Sequence, residues 1–191
     1  MKRRLLFVLT MMVGMLTVSA QFSNVETTGS SHRDDIGGWG TVYVEWNPSK
    51  VYDWDINAFT IGLARAFSLS TSTPIYIEPS VAGQCFVQYH DNDYGVVFAS
   101  VKVPVNLLYR VNIPNSNASF IPFAGLYLRY NVWGNHDMFD SCKRFQVGGH
   151  AGLKAAFGDH FIMGVSYGAD FNEINRIKKL QSVNLSLGFT F

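Results

Sequence analysis

Two stretches of this chain hold side chains that could do chemistry. The first is "NHDMFDSC", which sets His136, Asp137, Asp140 and Cys142 within residues 135–142. Such a cluster could hold a divalent metal. Structural zinc sites need paired ligands at short fixed spacing, and this segment has no such pair. A solvated surface loop accounts for its composition. The second is His150, inside the run "RFQVGGHAGLKAAF". An imidazole becomes a catalytic base when a nucleophile lies within hydrogen-bond reach and a third group orients the ring. Ala151 and Gly152 follow it, so we read His150 as a packed interior histidine. No glycine-rich phosphate loop occurs. The triplets "NAS" (117–119) and "NLS" (184–186) match the N-glycosylation pattern, a match that short triplets make by chance.

The remaining candidates are six scattered charges, Glu45, Glu78, Asp170, Lys102, Arg129 and Lys154, and their meaning depends on the elements that carry them. Eight strand-like runs cover the chain, at about 39–47, 55–69, 75–89, 95–110, 120–133, 144–157, 161–172 and 180–191. Between them lie breakers such as "STSTP", "HDNDY" and "NIPNSNAS". Within each run apolar and polar residues alternate, the period of a strand with two unlike faces. On 161–172, Phe161, Met163, Val165, Tyr167, Ala169 and Phe171 oppose Ile162, Gly164, Ser166, Gly168 and Asp170. On 180–191, Val183, Leu185, Leu187, Phe189 and Phe191 share one side.

The polar faces carry about one charge per strand, set among Gly, Ser, Asn and Gln. A soluble barrel would present many more Lys and Glu to water. Three negative charges (Glu45, Glu78, Asp170) balance three positive ones (Lys102, Arg129, Lys154). A sparse, balanced, glycine-rich face suits the packed interior of a small barrel, whose lumen at eight strands is just filled by side chains. The apolar face would then meet lipid. We expect an all-β fold, an eight-stranded antiparallel up-and-down transmembrane β-barrel, with the six charges as a structural lumen network and no aqueous pore. Several runs exceed the usual 5–6 residues of a soluble strand and are long enough for the 9–11 that cross a bilayer. Arg65 breaks the pattern, since it shares a face with Phe59, Ile61, Leu63, Phe67 and Leu69. Either it snorkels from a strand end or a bulge re-aims it.

Aromatics cluster near strand ends. Trp46, Tyr52, Trp54, Tyr89, Tyr94, Tyr130, Trp133 and Phe139 mark one set, and Trp39, Phe67, Tyr76, Tyr109, Phe120, Phe157 and Phe161 the other. Two aromatic girdles are expected of a membrane barrel.

Bulk properties narrow the class. Only 15% of the 191 residues are charged and 15% are aromatic, against about 25% charged in an ordinary soluble domain. The net charge of +1 leaves no nucleic-acid footprint. The N-terminus has a basic region (Lys2, Arg3, Arg4), an apolar run from Leu5 to Leu16 and a small-residue exit, Val18-Ser19-Ala20. This predicts a Sec-type signal peptide, residues 1–20, cleaved after Ala20. Residues 21–38 read as a flexible periplasmic leader and 39–191 as the barrel. Two cysteines, Cys85 and Cys142, are too few for a disulfide framework, and both are expected to be free. No metal or cofactor is expected.

The chain resembles the small outer-membrane β-barrel family of Gram-negative bacteria, and most of all the PorT-type "outer membrane protein beta-barrel domain" proteins of Bacteroidetes. The likeness spans about residues 39–191. It rests on "VSAQ" at the signal exit, on "FTIGLARAFSLS" leading into "PIYIEPSVAGQCFVQY", and on the closing "VNLSLGFTF". The resemblance implies residence in the cell outer membrane, with outer-membrane lipid around the barrel. It also implies that Val183, Leu185, Leu187, Phe189 and Phe191 form the assembly signal read by the outer-membrane insertion machinery. Both termini would sit in the periplasm. The connections around 48–54, 90–94, 134–143 and 173–179 would be extracellular, and those around 70–74, 111–119 and 158–160 periplasmic.

Barrels of this size include enzymes that trim or acylate lipid A. One deacylase family carries a His and a Ser two residues apart on a late strand, and His150-Ala151-Gly152 does not match it. The leading expectation is therefore a non-enzymatic barrel with a structural, adhesive or envelope-complex role and an unidentified envelope partner. The alternatives are an embedded lipid A-modifying enzyme and a secreted soluble barrel that binds an apolar ligand.

Overall fold

The computed structural model describes residues 38–51, 54–90, 93–134, 144–158, 160–172 and 179–191. Residues 1–37, which hold the expected signal peptide and nearly all of the expected leader, and His136, Asp137, Asp140 and Cys142 lie outside them.

Eight long strands follow one another: β1 Gly40–Val51, β2 Trp54–Arg65, β3 Ile75–His90, β4 Asp93–Tyr109, β5 Ala118–Gly134, β6 Phe145–Phe157, β7 Phe161–Asp170 and β8 Gln181–Thr190. Two short pieces, Phe67–Ser68 and Val111–Asn112, continue β2 and β4 beyond a break. Each strand pairs antiparallel with its neighbour in the chain. The eighth pairs with the first, Val42 opposite Phe189 and Val44 opposite Leu187, so the sheet closes. Closure removes the edge strands and gives their backbone N–H and C=O groups partners.

Strands β1, β3, β4 and β5 run longer than the alternation suggested, and β2, β6, β7 and β8 stop short of it. β1 runs on to Val51 because its hairpin with β2 stays in register down to Val51 opposite Trp54. Two ladders have gaps. Between β1 and β8 pairing skips Asn47 and Pro48, and between β3 and β4 it skips Ser80 and Val81, opposite Pro104 and just after Pro79. Proline carries no N–H and removes a rung wherever it stands.

The outer wall is apolar. Val44, Ile61, Leu107, Leu126, Leu153, Val165 and Leu187 are all exposed, and on β3 the outward Ile75, Ile77, Val81 and Val87 are half-buried. Val183, Leu185, Phe189 and Phe191 join them on the outside. Near the barrel end formed by the turns at 69–74, 110–117 and 158–160, Phe67, Tyr109, Phe120, Phe157, Phe161 and Phe189 make an outward ring of aromatics. Arg65 is the last residue of β2, on the outward side; Ala66 is buried and Phe67 exposed after it, so the alternation continues without a bulge. Cys85 is a free thiol on the outer face of β3.

Two aromatics assigned above to the girdle turn inward instead. Tyr76 is only 9% exposed and packs edge-on against Trp39, their ring centroids 4.8 Å apart. The reason is parity: Tyr76 shares the side of β3 that carries Glu78 and Ser80, so it faces the lumen. With Ala66, Leu108, Ile121 and Ile162 these rings plug that end of the barrel. A second apolar plug, Ile56, Ala58, Phe86, Phe98 and Leu180, fills the lumen at the opposite ends of the strands. Phe86 and Phe98 stack there at 4.0 Å. The polar interior lies between the plugs.

Candidate functional site: the barrel interior

All six charges that the alternation placed on polar faces point into this middle section, and the structure brings them together in pairs. Lys154 Nζ meets Glu78 Oε1 at 2.6 Å. Lys102 Nζ stands 3.8 Å from Glu45 Oε1. Arg129 pairs with Asp170 through its Nη2 and also donates to Gln146 Oε1. No pair joins neighbouring strands. The bridges run β3 to β6, β1 to β4 and β5 to β7, so each spans part of the lumen.

The register explains why the acids are needed. Lys102 and Arg129 sit directly opposite each other on β4 and β5. Like charges in that position repel. Each is drawn away by its own carboxylate, Lys102 toward Glu45 and Arg129 toward Asp170. Asp170 has a further donor in Tyr127 Oη at 2.7 Å. The cations also lie over aromatic rings, Lys102 over Tyr127 at 4.7 Å, Arg129 over Phe86 at 5.2 Å and Lys154 over Phe123 at 5.1 Å. In a low-dielectric lumen each contact offsets part of the cost of burying charge.

His150 closes one network. Glu78 Oε1 accepts from Asn106 Nδ2 at 2.9 Å as well as from Lys154. A carboxylate only accepts, so the Asn106 amide nitrogen must face it, and Asn106 Oδ1 is turned to His150 Nε2 at 2.6 Å. The orientation of the amide therefore makes Nε2 the protonated nitrogen, a tautomer assigned from the network. The ring packs edge-on against Phe123 and Tyr127. A fully polar knot fills the space beside Glu45: Asn47 donates to Glu45 at 2.6 Å and to Asn184 at 2.7 Å, Thr60 donates to Asn47 at 2.8 Å, and Asn184 donates to Ser166 at 2.9 Å.

Chemically this arrangement neutralises itself. Glu78 and Asp170, which could act as bases, are each engaged by a cation and a neutral donor, and the oxygen that His150 faces belongs to an amide, not to a hydroxyl nucleophile. Among the described residues no group of three or more His, Cys, Asp or Glu could hold a metal ion. The sequence reading assigned no place to Tyr43, Tyr127, Phe86 and Phe98, which fall in neither aromatic girdle. The signal was present for Tyr127, which lies two positions before Arg129 and must share its face.

No family model matches the chain, and no curated protein matches it in sequence. Solved structures do match. Neisserial surface protein A superposes with a TM-score of 0.56 at 13% identity, covering 81% of this chain and 96% of that one. The fold is that of the small outer-membrane barrels. The outer-membrane enzyme PagL gives 0.56 at 12% identity over 78% of this chain and 97% of its own. Ail, the attachment invasion locus protein of Yersinia pestis, solved with the heparin analogue sucrose octasulfate, gives 0.50 at 14% identity over 81% and 97%. At these identities the likeness is one of fold.

Proposed function

We propose that this chain is an integral protein of the bacterial outer membrane, a sealed barrel without enzymatic activity that serves a structural, adhesive or envelope-complex role. The observation that carries this reading is the contrast between the two faces of the wall. Seven of the eight strands turn exposed large apolar side chains outward, and β3 adds half-buried Ile75, Ile77, Val81 and Val87, far beyond the few hundred Å² of apolar patch that a soluble monomer exposes. The ionisable groups inside are spent on one another. In this reading the Glu45, Glu78, Lys102, Arg129, Lys154 and Asp170 set is a scaffold. Residues 1–20 are a cleaved signal peptide, residues 21–38 are a periplasmic leader, and the outward face of β8 together with Phe191 is the segment the insertion machinery reads. The narrower kinship with PorT-type proteins of Bacteroidetes belongs to the same proposal and rests on the motifs quoted above.

The fold shared with PagL gives a second reading, an embedded lipid-modifying enzyme. Two measurements separate the readings. Cell fractionation and detergent phase partitioning should find the protein in the outer membrane; recovery in buffer without detergent overturns the membrane assignment. Mass spectra of lipid A from cells with and without the protein should be identical, and a gained or lost acyl chain makes the enzyme reading the correct one.

A further inference from the structure

Glycine inside a strand loses side-chain packing, and an aromatic ring laid over it can restore that packing. Four glycines of this wall have such a ring where their own Cβ would stand: Gly62 beneath Tyr43, Gly148 beneath Tyr127, Gly149 beneath Phe171 and Gly40 beneath Phe191. Tyr43 and Tyr127 are lumen residues, and packing of the interior accounts for them. The outer face is different, because a ring there can as well project into the surrounding apolar phase. Phe191, on the outer face and 56% exposed, nonetheless lies over Gly40. A Cβ on Gly40 would lie 2.6 Å from Phe191 Cε2 and 2.7 Å from Cζ, so the ring occupies that space.

The position of this contact gives it a role. Gly40 N–H donates to Phe191 O at 2.9 Å and Phe191 N–H donates to Gly40 O at 3.0 Å, one rung beyond Thr41 opposite Thr190. That rung ends the line where β8 meets β1, the pairing that turns an open sheet into a closed one. The same line lacks pairing at Asn47 and Pro48 further along. The stretch from Gly40 to Trp46 is therefore continuous, and its outermost rung is the one with a ring lying over it. We propose that Gly40 is the seat of the Phe191 ring and that this seated ring fastens the β8–β1 seam.

A double-mutant cycle on the full chain, refolded into detergent micelles, tests the proposal. Gly40→Ala and Phe191→Ala should each lower the urea midpoint of the folded barrel, because each unseats the ring. The double variant should have a midpoint no lower than the worse single variant, since both changes remove one contact. Phe189→Ala, opposite Val42, should add its loss in full to that of Gly40→Ala. Amide exchange gives a reading with Gly40 intact: in Phe191→Ala the Gly40 N–H should exchange faster while that of Val42 holds. The proposal is overturned if the Gly40→Ala and Phe191→Ala losses simply add, if Gly40→Ala raises or leaves the midpoint, or if Gly40 exchange in Phe191→Ala stays at the wild-type rate.

Discussion

Leu128 and Arg129 are adjacent on β5, yet Leu128 is 46% exposed and Arg129 3%. The pair sums up how the two faces of the wall differ. Outside, the main requirement on a residue is that it be apolar, and Phe, Met, Val, Tyr and Leu follow one another freely along the outer faces of β7 and β8. Inside, the requirement is for a partner at a particular place: Arg129 needs Asp170 on β7 and Gln146 on β6, and loses its stabilisation if either moves. Interior positions should therefore be intolerant of most changes, whereas exterior positions away from the β8–β1 seam should be intolerant chiefly of charge.

The sharpest way to test that contrast is Arg129→Met. It leaves Asp170 buried with Tyr127 as its remaining donor, and breaking a buried pair in this way costs about 3–5 kcal/mol. The urea midpoint of the folded barrel should fall accordingly. The companion Arg129→Met with Asp170→Leu should cost less than either single change, and a larger loss would show that the pair does more than neutralise charge. Phe86→Ala comes next. It opens the stacked plug with Phe98 and removes the ring beneath Arg129, a cavity worth about 3 kcal/mol or more, read in the same denaturation. Leu126→Arg probes the outer face. A charge in the apolar belt of a membrane barrel costs about 2–4 kcal/mol near the bilayer midplane, whereas Leu126→Ala should be almost silent in micelles. A Leu126→Arg protein with wild-type stability in lipid vesicles would mean that this face meets water. Lys102→Met should have the smallest effect, about 1–3 kcal/mol. Its carboxylate partner stands 3.8 Å away, and Glu45 keeps the 2.6 Å bond from Asn47.

Much of this organisation is legible from periodicity alone. A period of two assigns each residue to a face, which is why the six charges could be placed on one side of the wall without knowledge of their partners. The strand ends near Val51 and Trp54 were harder, because Pro48 reads as a breaker and only the hairpin register carries β1 past it. Pairing could not be read at all. Lys102 and Arg129 face each other, and Glu45 reaches Lys102 from three strands away, only because of the register and closure of the whole sheet. Counting charges gives three against three; deciding that Glu78 takes Lys154 and not Lys102 requires the coordinates. Tyr76 and Trp39 show the opposite error, in which residue type was allowed to override parity.

The two gaps in the ladders have a mechanical consequence. One lies between β1 and β8 and the other between β3 and β4, on roughly opposite sides of the ring of strands. A hoop with two such lines is not equally stiff in every direction. Under lateral compression its cross-section should flatten by hinging at those lines, while the unbroken ladders from β6 through β7 to β8 move as a rigid panel.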